Sequence, residues 1–208
     1  MKHKILKMVL GSFQTNCYIV YNEDKECALI DPGAQSKDII QALEQYELTP
    51  IYILLTHAHA DHIGAVYDLK EKYGIKIYMN LDDREMLEDR GKSRAQTLGL
   101  EVKPTKADVF VEEGDEIPFG TDKFVVIDTP GHTPGGVCYL LDDVLFSGDT
   151  LFNGSIGRTD FPESNHKNMM HSLKKLTELP KDTIVLSGHG PETTIEQELR
   201  YNPFLRML

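Results

Sequence analysis

Four side chains that bind metals well fall within six residues: His57, His59, Asp61 and His62, in Thr56-His57-Ala58-His59-Ala60-Asp61-His62. The apolar, β-branched run 51–55 precedes them and a helical pattern follows. In an extended backbone, side chains at i and i+2 point the same way. His57 and His59 can therefore reach one cation together. Asp61 and His62 fall where the chain turns into the next helix and can face a second centre beside the first. Ala58 and Ala60 leave room for the ions. His and Asp at such spacing point to metal binding rather than to a histidine-rich turn.

Three more apolar runs end in the same way. Phe124-Val125-Val126-Ile127 leads to Asp128-Thr129-Pro130-Gly131-His132. Val144-Leu145-Phe146 leads to Ser147-Gly148-Asp149, and Ile184-Val185-Leu186 to Ser187-Gly188-His189-Gly190. A glycine permits a sharp backbone course, and a strand end held by a rigid core can place a ligand closely. The inventory is His57, His59, His62, His132 and His189 with Asp61 and Asp149. Zinc-type centres take about four or five ligands each, so this set exceeds one centre and fills two if a carboxylate bridges. Asp149, with two oxygens, is the expected bridge. His57, His59 and His132 are assigned to one metal, and Asp61, His62 and His189 to the other. Two divalent ions per chain are expected, zinc first, with iron or manganese as alternatives. Their residual positive charge would hold an anionic transition state.

The elements that must position these residues read as follows. Strands are expected at 3–10, 15–21, 26–30, 51–55 and 75–79, with helices from 36 to about 46, from 62 to 73 and from 81 to 88. Strands follow at 108–111, 116–119, 123–128, 136–141 and 143–147, with a tight hairpin at Asp142-Asp143. A helix at 166–178 carries a Met169, Met170, Leu173, Leu176 face, which reads as core. The strand 184–186 precedes a helical tail over 193–208, broken at Pro203. The two halves share a coarse order, strands and then helix. The stretch 89–107 is least legible; its local basic excess (Arg90, Lys92, Arg94, Lys103, Lys106) suits a solvated loop or a flap that attracts anions.

The 208 residues suit a single domain over 1–208, 40% hydrophobic and 26% charged. A net charge of −11 disfavours nucleic acid as a partner. The cysteines Cys17, Cys27 and Cys138 show no C-x-x-C spacing and lie in apolar runs, which fits buried thiols in a reducing cytoplasm. Lys7 interrupts the first apolar run, so no signal peptide is expected, and no apolar stretch reaches the ~18 residues of a membrane span. The expected protein is cytoplasmic, a monomer or homodimer, with no membrane partner.

The pattern His57-Ala-His59-Ala-Asp61-His62 with His132, Asp149 and His189 resembles the metallo-β-lactamase superfamily. Within it, the chain is similar to the glyoxalase II-like (hydroxyacylglutathione hydrolase-like) enzymes of the short bacterial branch. The stretches Ser155-Ile156-Gly157-Arg158-Thr159-Asp160-Phe161-Pro162 and Gly188 to Phe204 carry that likeness. The resemblance implies an α+β fold, a four-layer αβ/βα sandwich with the metals at one edge of two sheets. It also implies hydrolysis, with metal-bound hydroxide as nucleophile and Asp61 and Asp149 as the catalytic carboxylates. Two departures stand out. Only a short tail follows His189, where full-length glyoxalase II adds a helical region that holds glutathione. The family's Lys-x-Tyr is Arg158-Thr159-Asp160 here, keeping the charge and losing the tyrosine.

A thiolate leaves without a strong general acid because its free pKa is about 8.5. An amide nitrogen would need a proton donor that the sequence does not nominate. Thioesters are therefore the first expected substrates, with Arg158 holding a substrate carboxylate. The alternatives are a mononuclear-iron persulfide dioxygenase and a lactone hydrolase of the same superfamily. Asp31 and Asp128 are candidates to orient ligand histidines, and Thr133 to cap the segment after His132.

Overall fold

Strand burial follows position in the sheet. The first strand, β1 (Lys4–Leu10), alternates between exposed and covered residues, as an edge strand does, whereas β2 (Thr15–Tyr21) is buried along its whole length. A strand covered on both faces reads as a continuous apolar run rather than an alternation. The computed structural model describes residues 3–208. They divide into two units, the first ending at Val111 and the second running from Glu112 to Leu208.

The first unit continues through β3 (Glu26–Ile30), α1 (Ser36–Gln45), β4 (Thr49–Leu54), α2 (Ala60–Ile63), α3 (Val66–Tyr73) and β5 (Lys76–Asn80). A short turn of 3₁₀ helix (Leu81–Asp83), α4 (Arg84–Glu88), α5 (Ala95–Leu98) and β6 (Val109–Val111) complete it. Its six strands lie in the order β1-β2-β3-β4-β5-β6. The β1/β2 and β2/β3 pairs are antiparallel; β3/β4, β4/β5 and β5/β6 are parallel, each joined by a helical crossover. Ile19, Leu29, Ile53 and Ile77 of the sheet pack with Ile39 and Leu43 of α1 and Val66 and Leu69 of α3 in one apolar cluster.

In the second unit β7 (Glu116–Phe119), β8 (Asp122–Asp128), β9 (Val137–Leu141) and β10 (Val144–Gly148) form a meander. A small hairpin, β11 (Leu151–Phe152) and β12 (Ser155–Ile156), leads to α6 (His166–Leu176). The chain ends with β13 (Ile184–Ser187), β14 (Thr193–Thr194), α7 (Ile195–Tyr201) and a 3₁₀ turn, Leu205–Met207. The sheet order is β14-β13-β10-β9-β8-β7, and only β10/β13 is parallel. Met169, Leu173 and Leu176 of α6 are buried in the unit's core with Leu145, Val185 and Ile195, as the apolar face over 166–178 suggests.

Several elements differ from their sequence reading. The helix expected over 62–73 is two helices, α2 and α3, because Gly64 and Ala65 donate their N–H groups to Gly33 and Pro32 carbonyls instead of to a helical ladder. The tail from 193 first pairs as β14 and only then turns helical. The β11–β12 hairpin is too short for a periodicity signal. Asp142, at φ +52°, makes the expected tight turn between β9 and β10. Among the described residues, no helix is long and apolar enough to cross a membrane. The cysteines are free and buried, and burial pushes the Cys27 thiol up to about 12 and the Cys138 thiol up to about 11.

One buried acid ties the C-terminal helix to the small hairpin. Glu198 is 1% exposed and accepts from Thr193 Oγ1 (2.6 Å), Asn202 Nδ2 (2.7 Å) and Gly154 N (2.8 Å). Asn202 Nδ2 also donates to the Ser155 carbonyl at 3.0 Å, and Asn153 Nδ2 to that of Glu192 at 3.0 Å. Each buried donor left without an acceptor costs about 1–3 kcal/mol. Glu198→Ala is therefore expected to lower the unfolding free energy by about 2–4 kcal/mol in urea denaturation. An unchanged midpoint would show that the hairpin does not depend on this carboxylate.

Candidate metal centre

In the first unit the ligand residues start where β4 ends. The parallel register aligns Ile30 with Leu54, and Asp31 N donates to the Leu54 carbonyl at 3.1 Å. The residues after β3 therefore lie alongside those after β4. His57, His59 and His62 are buried, at most 3% exposed. The His57 ring lies 5.0 Å from that of His59 and 4.1 Å from that of His62, centre to centre. Asp61 Oδ2 is 3.6 Å from His62 Nε2 and accepts from Thr15 Oγ1 at 3.2 Å.

The backbone of the motif is held from its other side. Ala58 N donates to the buried Asp83 Oδ2 at 3.1 Å, and Ala60 N to the Ser93 carbonyl at 2.9 Å. The alternation that turns the histidines one way turns the spacer residues' amides toward the 81–94 segment. Gly33 allows a close approach on the opposite flank: a Cβ there would lie 1.8 Å from the Asp61 carbonyl oxygen.

Asp31, 2% exposed and at φ +48°, sits behind the cluster. It accepts from Thr56 N (2.8 Å), Thr56 Oγ1 (2.6 Å) and His62 Nδ1 (2.9 Å). A carboxylate only accepts, so the His62 proton sits on Nδ1 and Nε2 keeps its lone pair. Asp31 thus fixes the orientation of the His62 ring.

The second unit places Asp149 and His189 at the ends of the parallel β10/β13 pair. The register shifts between Phe146 and Gly148, and Gly148 takes φ +48°. Such a bulge re-aims the next side chain, here Asp149. Gly188 N donates to the Gly148 carbonyl at 2.8 Å, so Asp149 and His189 leave adjacent strands together. Asp149 Oδ2 lies 3.5 Å from His132 Nε2 and 3.6 Å from His189 Nε2. These distances are long for hydrogen bonds. Metal–ligand bonds of about 2.1 Å in a tetrahedral site put ligand atoms about 3.4 Å apart. The spacing thus suits a carboxylate oxygen and imidazole nitrogens that ligate divalent ions. His132 Nδ1 is 2.9 Å from the Arg158 carbonyl, which accepts its proton and leaves Nε2 facing Asp149.

An aromatic ring flanks each of these histidines: Phe161 at 5.9 Å from His132 and Phe152 at 6.1 Å from His189, ring centre to ring centre. Arg158 stacks on Phe161, its guanidinium 4.1 Å from the ring centre. Its Nε and Nη2 both donate to Asp160, at 2.7 Å each. A substrate carboxylate at Arg158 must therefore compete with Asp160.

Each unit brings together the candidates it contains: His57, His59, Asp61 and His62 in the first, His132, Asp149 and His189 in the second. The basic stretch 89–107 contributes through its backbone at Ser93. Of its cations, Lys92 pairs with Glu85 at 3.5 Å and Lys103 with Asp68 at 2.7 Å. The Lys103 hydrogen bond lowers the Asp68 carboxyl below its usual range. Asp128 N donates to Glu113 and its carbonyl accepts from Lys175. Thr133 does not cap: its hydroxyl is buried with no hydrogen-bond partner among the described residues. Sequence reasoning missed Thr15, Asp83, Ser93, Phe152 and Phe161. Only Phe161, beside Arg158, had a signal that pointed to it.

Gly157 permits the closest approach in the second set. A Cβ there would lie 1.8 Å from the Asp149 carbonyl oxygen and 3.4 Å from His132 Cβ. Overpacking of this kind costs about 1–3 kcal/mol. Gly157→Ala is expected to lose that much stability in urea and to reduce metal content measured by elemental analysis. Wild-type values in both would mean that the approach does not hold Asp149.

Comparison with known proteins agrees with this geometry. A family model described as the metallo-beta-lactamase superfamily matches residues 10–189. The chain is 37% identical over 203 residues to the hydroxyacylglutathione hydrolase GloC of Haemophilus influenzae, covering 93% of this chain and 94% of that protein. The crystal structure of the B3 metallo-β-lactamase BLEG-1 superposes with a TM-score of 0.92 at 43% identity, covering 97% of this chain and 99% of that one. TTHA1623 in a di-iron-bound form superposes with a TM-score of 0.88 at 40% identity, covering 96% of this chain and 100% of that one.

Proposed function

Because this chain belongs to the metallo-β-lactamase superfamily, we propose that it is a metal-dependent thioester hydrolase of the glyoxalase II-like kind. The observation that carries the reading is Asp149 Oδ2, set 3.5 Å from one histidine Nε2 and 3.6 Å from another. His57, His59 and His132 would hold one divalent ion, Asp61, His62 and His189 the other, and Asp149 would be the carboxylate shared by both. Zinc is the first candidate, with iron or manganese as alternatives. The di-iron form of TTHA1623 supports two ions of such a kind. When bound, the ions lower the pKa of water to about 7 and polarise the scissile carbonyl.

The chain's own residues do the rest. Asp61 and Asp149 would offset part of the ions' charge and leave a positive remainder that suits an oxyanion. Thr15 keeps Asp61 oriented through its 3.2 Å hydrogen bond. Arg158, on its Phe161 ledge, holds the carboxylate of a small anionic thioester when that carboxylate displaces Asp160. A thiolate leaving group suits the site because departure at a free pKa of about 8.5 needs no strong acid. Similarity to a hydroxyacylglutathione hydrolase supports thioesters. Similarity to BLEG-1 makes a β-lactam the second substrate class to assay. The net charge of −11 supports a small-molecule enzyme with no nucleic-acid partner. Monomeric or homodimeric action in the cytoplasm, without a membrane, completes the proposal.

The direct test is Asp149→Ala with acyl-glutathione thioesters and metal analysis. Most metal and at least 10²-fold of turnover are expected to disappear, in line with losses seen when a metal site is dismantled. Retention of both metal and turnover would overturn the bridge. Arg158→Ala is expected to raise KM for anionic thioesters several-fold and to leave kcat within about twofold, as removal of uniform binding does. An unchanged KM would take Arg158 out of the site.

A further inference from the structure

We propose that Thr56 is a positioning residue that fixes the tautomer of His57 and joins His57 and His62 to a single carboxylate. The inference rests on the metal-site reading above but not on the choice of substrate. It follows from counting hydrogens. Thr56 has one hydroxyl proton. Asp31 Oδ2, 2.6 Å away, can only accept, so that proton goes to Asp31. Thr56 Oγ1 also lies 3.1 Å from His57 Nδ1. With its proton committed, the hydroxyl oxygen acts as acceptor there, and the proton of that contact comes from His57 Nδ1. His57 Nε2 is left with the lone pair that a cation requires.

The same carboxylate fixes the second histidine. His62 Nδ1 donates to Asp31 Oδ2 at 2.9 Å. Protons therefore run from His57 through Thr56 to Asp31, and from His62 directly to Asp31. All four groups are buried, with Thr56 and Asp31 each 2% exposed. In so dry a setting the bonds polarise one another, and a lost member leaves its neighbours unsatisfied. Thr56 N adds a further anchor by donating to Asp31 Oδ1 at 2.8 Å. A backbone amide survives any side-chain change, so substitution at Thr56 isolates the hydroxyl. Valine keeps the shape, removes the acceptor from His57 and leaves that ring free to carry its proton on Nε2, where it blocks metal binding. Serine keeps the oxygen.

Two measurements on the full chain test the proposal. The first uses the zinc-loaded wild-type protein, so it does not depend on any variant folding. Long-range proton–nitrogen spectra are expected to show the His57 proton on Nδ1; a proton on Nε2 would overturn the assignment. The second is zinc competition against a chelator for wild type, Thr56→Ser and Thr56→Val. Loss of an outer partner of a metal ligand costs about 10–100-fold in affinity. Thr56→Val is expected to weaken one zinc by that factor, while Thr56→Ser stays within about twofold of wild type. Equal affinities in all three proteins, or equal losses in both variants, would overturn it. Failure of the metal-site reading would look different: the wild-type protein itself would take up no zinc in the absence of chelator.

Discussion

Six of the seven candidate ligands leave parallel strands that end side by side; His132 alone follows a strand, β8, whose partners are antiparallel. In the first unit the Ile30↔Leu54 register sets Asp31 next to Thr56 and the histidine motif. In the second, the Gly148↔Ser187 register sets Asp149 next to His189. A parallel pair can do this because both chains leave the sheet at the same edge, where backbone groups no longer bind each other and side chains are free to converge. The two units thus repeat one device, a parallel pair ending in an aspartate beside histidines. The aspartates take different parts. Asp31 is buried behind its histidines and orients them, whereas Asp149 faces the Nε2 atoms themselves.

Around that frame the imidazoles share one rule. His62, His57 and His132 each have Nδ1 facing an oxygen, from Asp31, Thr56 and the Arg158 backbone respectively. Each ring is thereby fixed in rotation and tautomer with Nε2 available, which is the form a cation binds. The backbone is held with equal care. Asp83 and Ser93 fix the amides of Ala58 and Ala60, and glycines at 33 and 157 let chain segments approach where any side chain would collide. Little of this fixation lies within the ligand motif itself. It comes from a sequence-distant aspartate, a short 3₁₀ turn, a loop carbonyl and a small hairpin.

That distribution explains what the sequence disclosed. The ligand inventory was legible because metal chemistry demands a few residue types at tight spacing, and because four apolar runs each ended on one of them. Long buried strands such as β2 and β4 were legible for the same reason, since an apolar run needs no partner to be noticed. The break between α2 and α3 was not, because it arises from Gly64 and Ala65 bonding back to Pro32 and Gly33, a tertiary event. The two-residue strands β11 and β12 are shorter than any period. The 89–107 stretch looked like a solvated or anion-attracting loop by charge. What it brings to the histidine motif is the Ser93 carbonyl, which composition cannot show, and Lys92 and Lys103 are paired with acids. Arg158 was noticed for its charge, while its bond to Asp160 and its stacking on Phe161 emerge only from the fold.

As proposed, the chain takes two divalent ions, with Asp149 as their shared ligand. Elemental analysis of the purified wild-type chain, expressed without added metal and then titrated with zinc, tests this proposal most directly. Saturation close to two divalent ions per chain is expected, of any mixture of zinc, iron or manganese at isolation. Saturation at one ion per chain, with no second ion taken up in excess zinc, would contradict it.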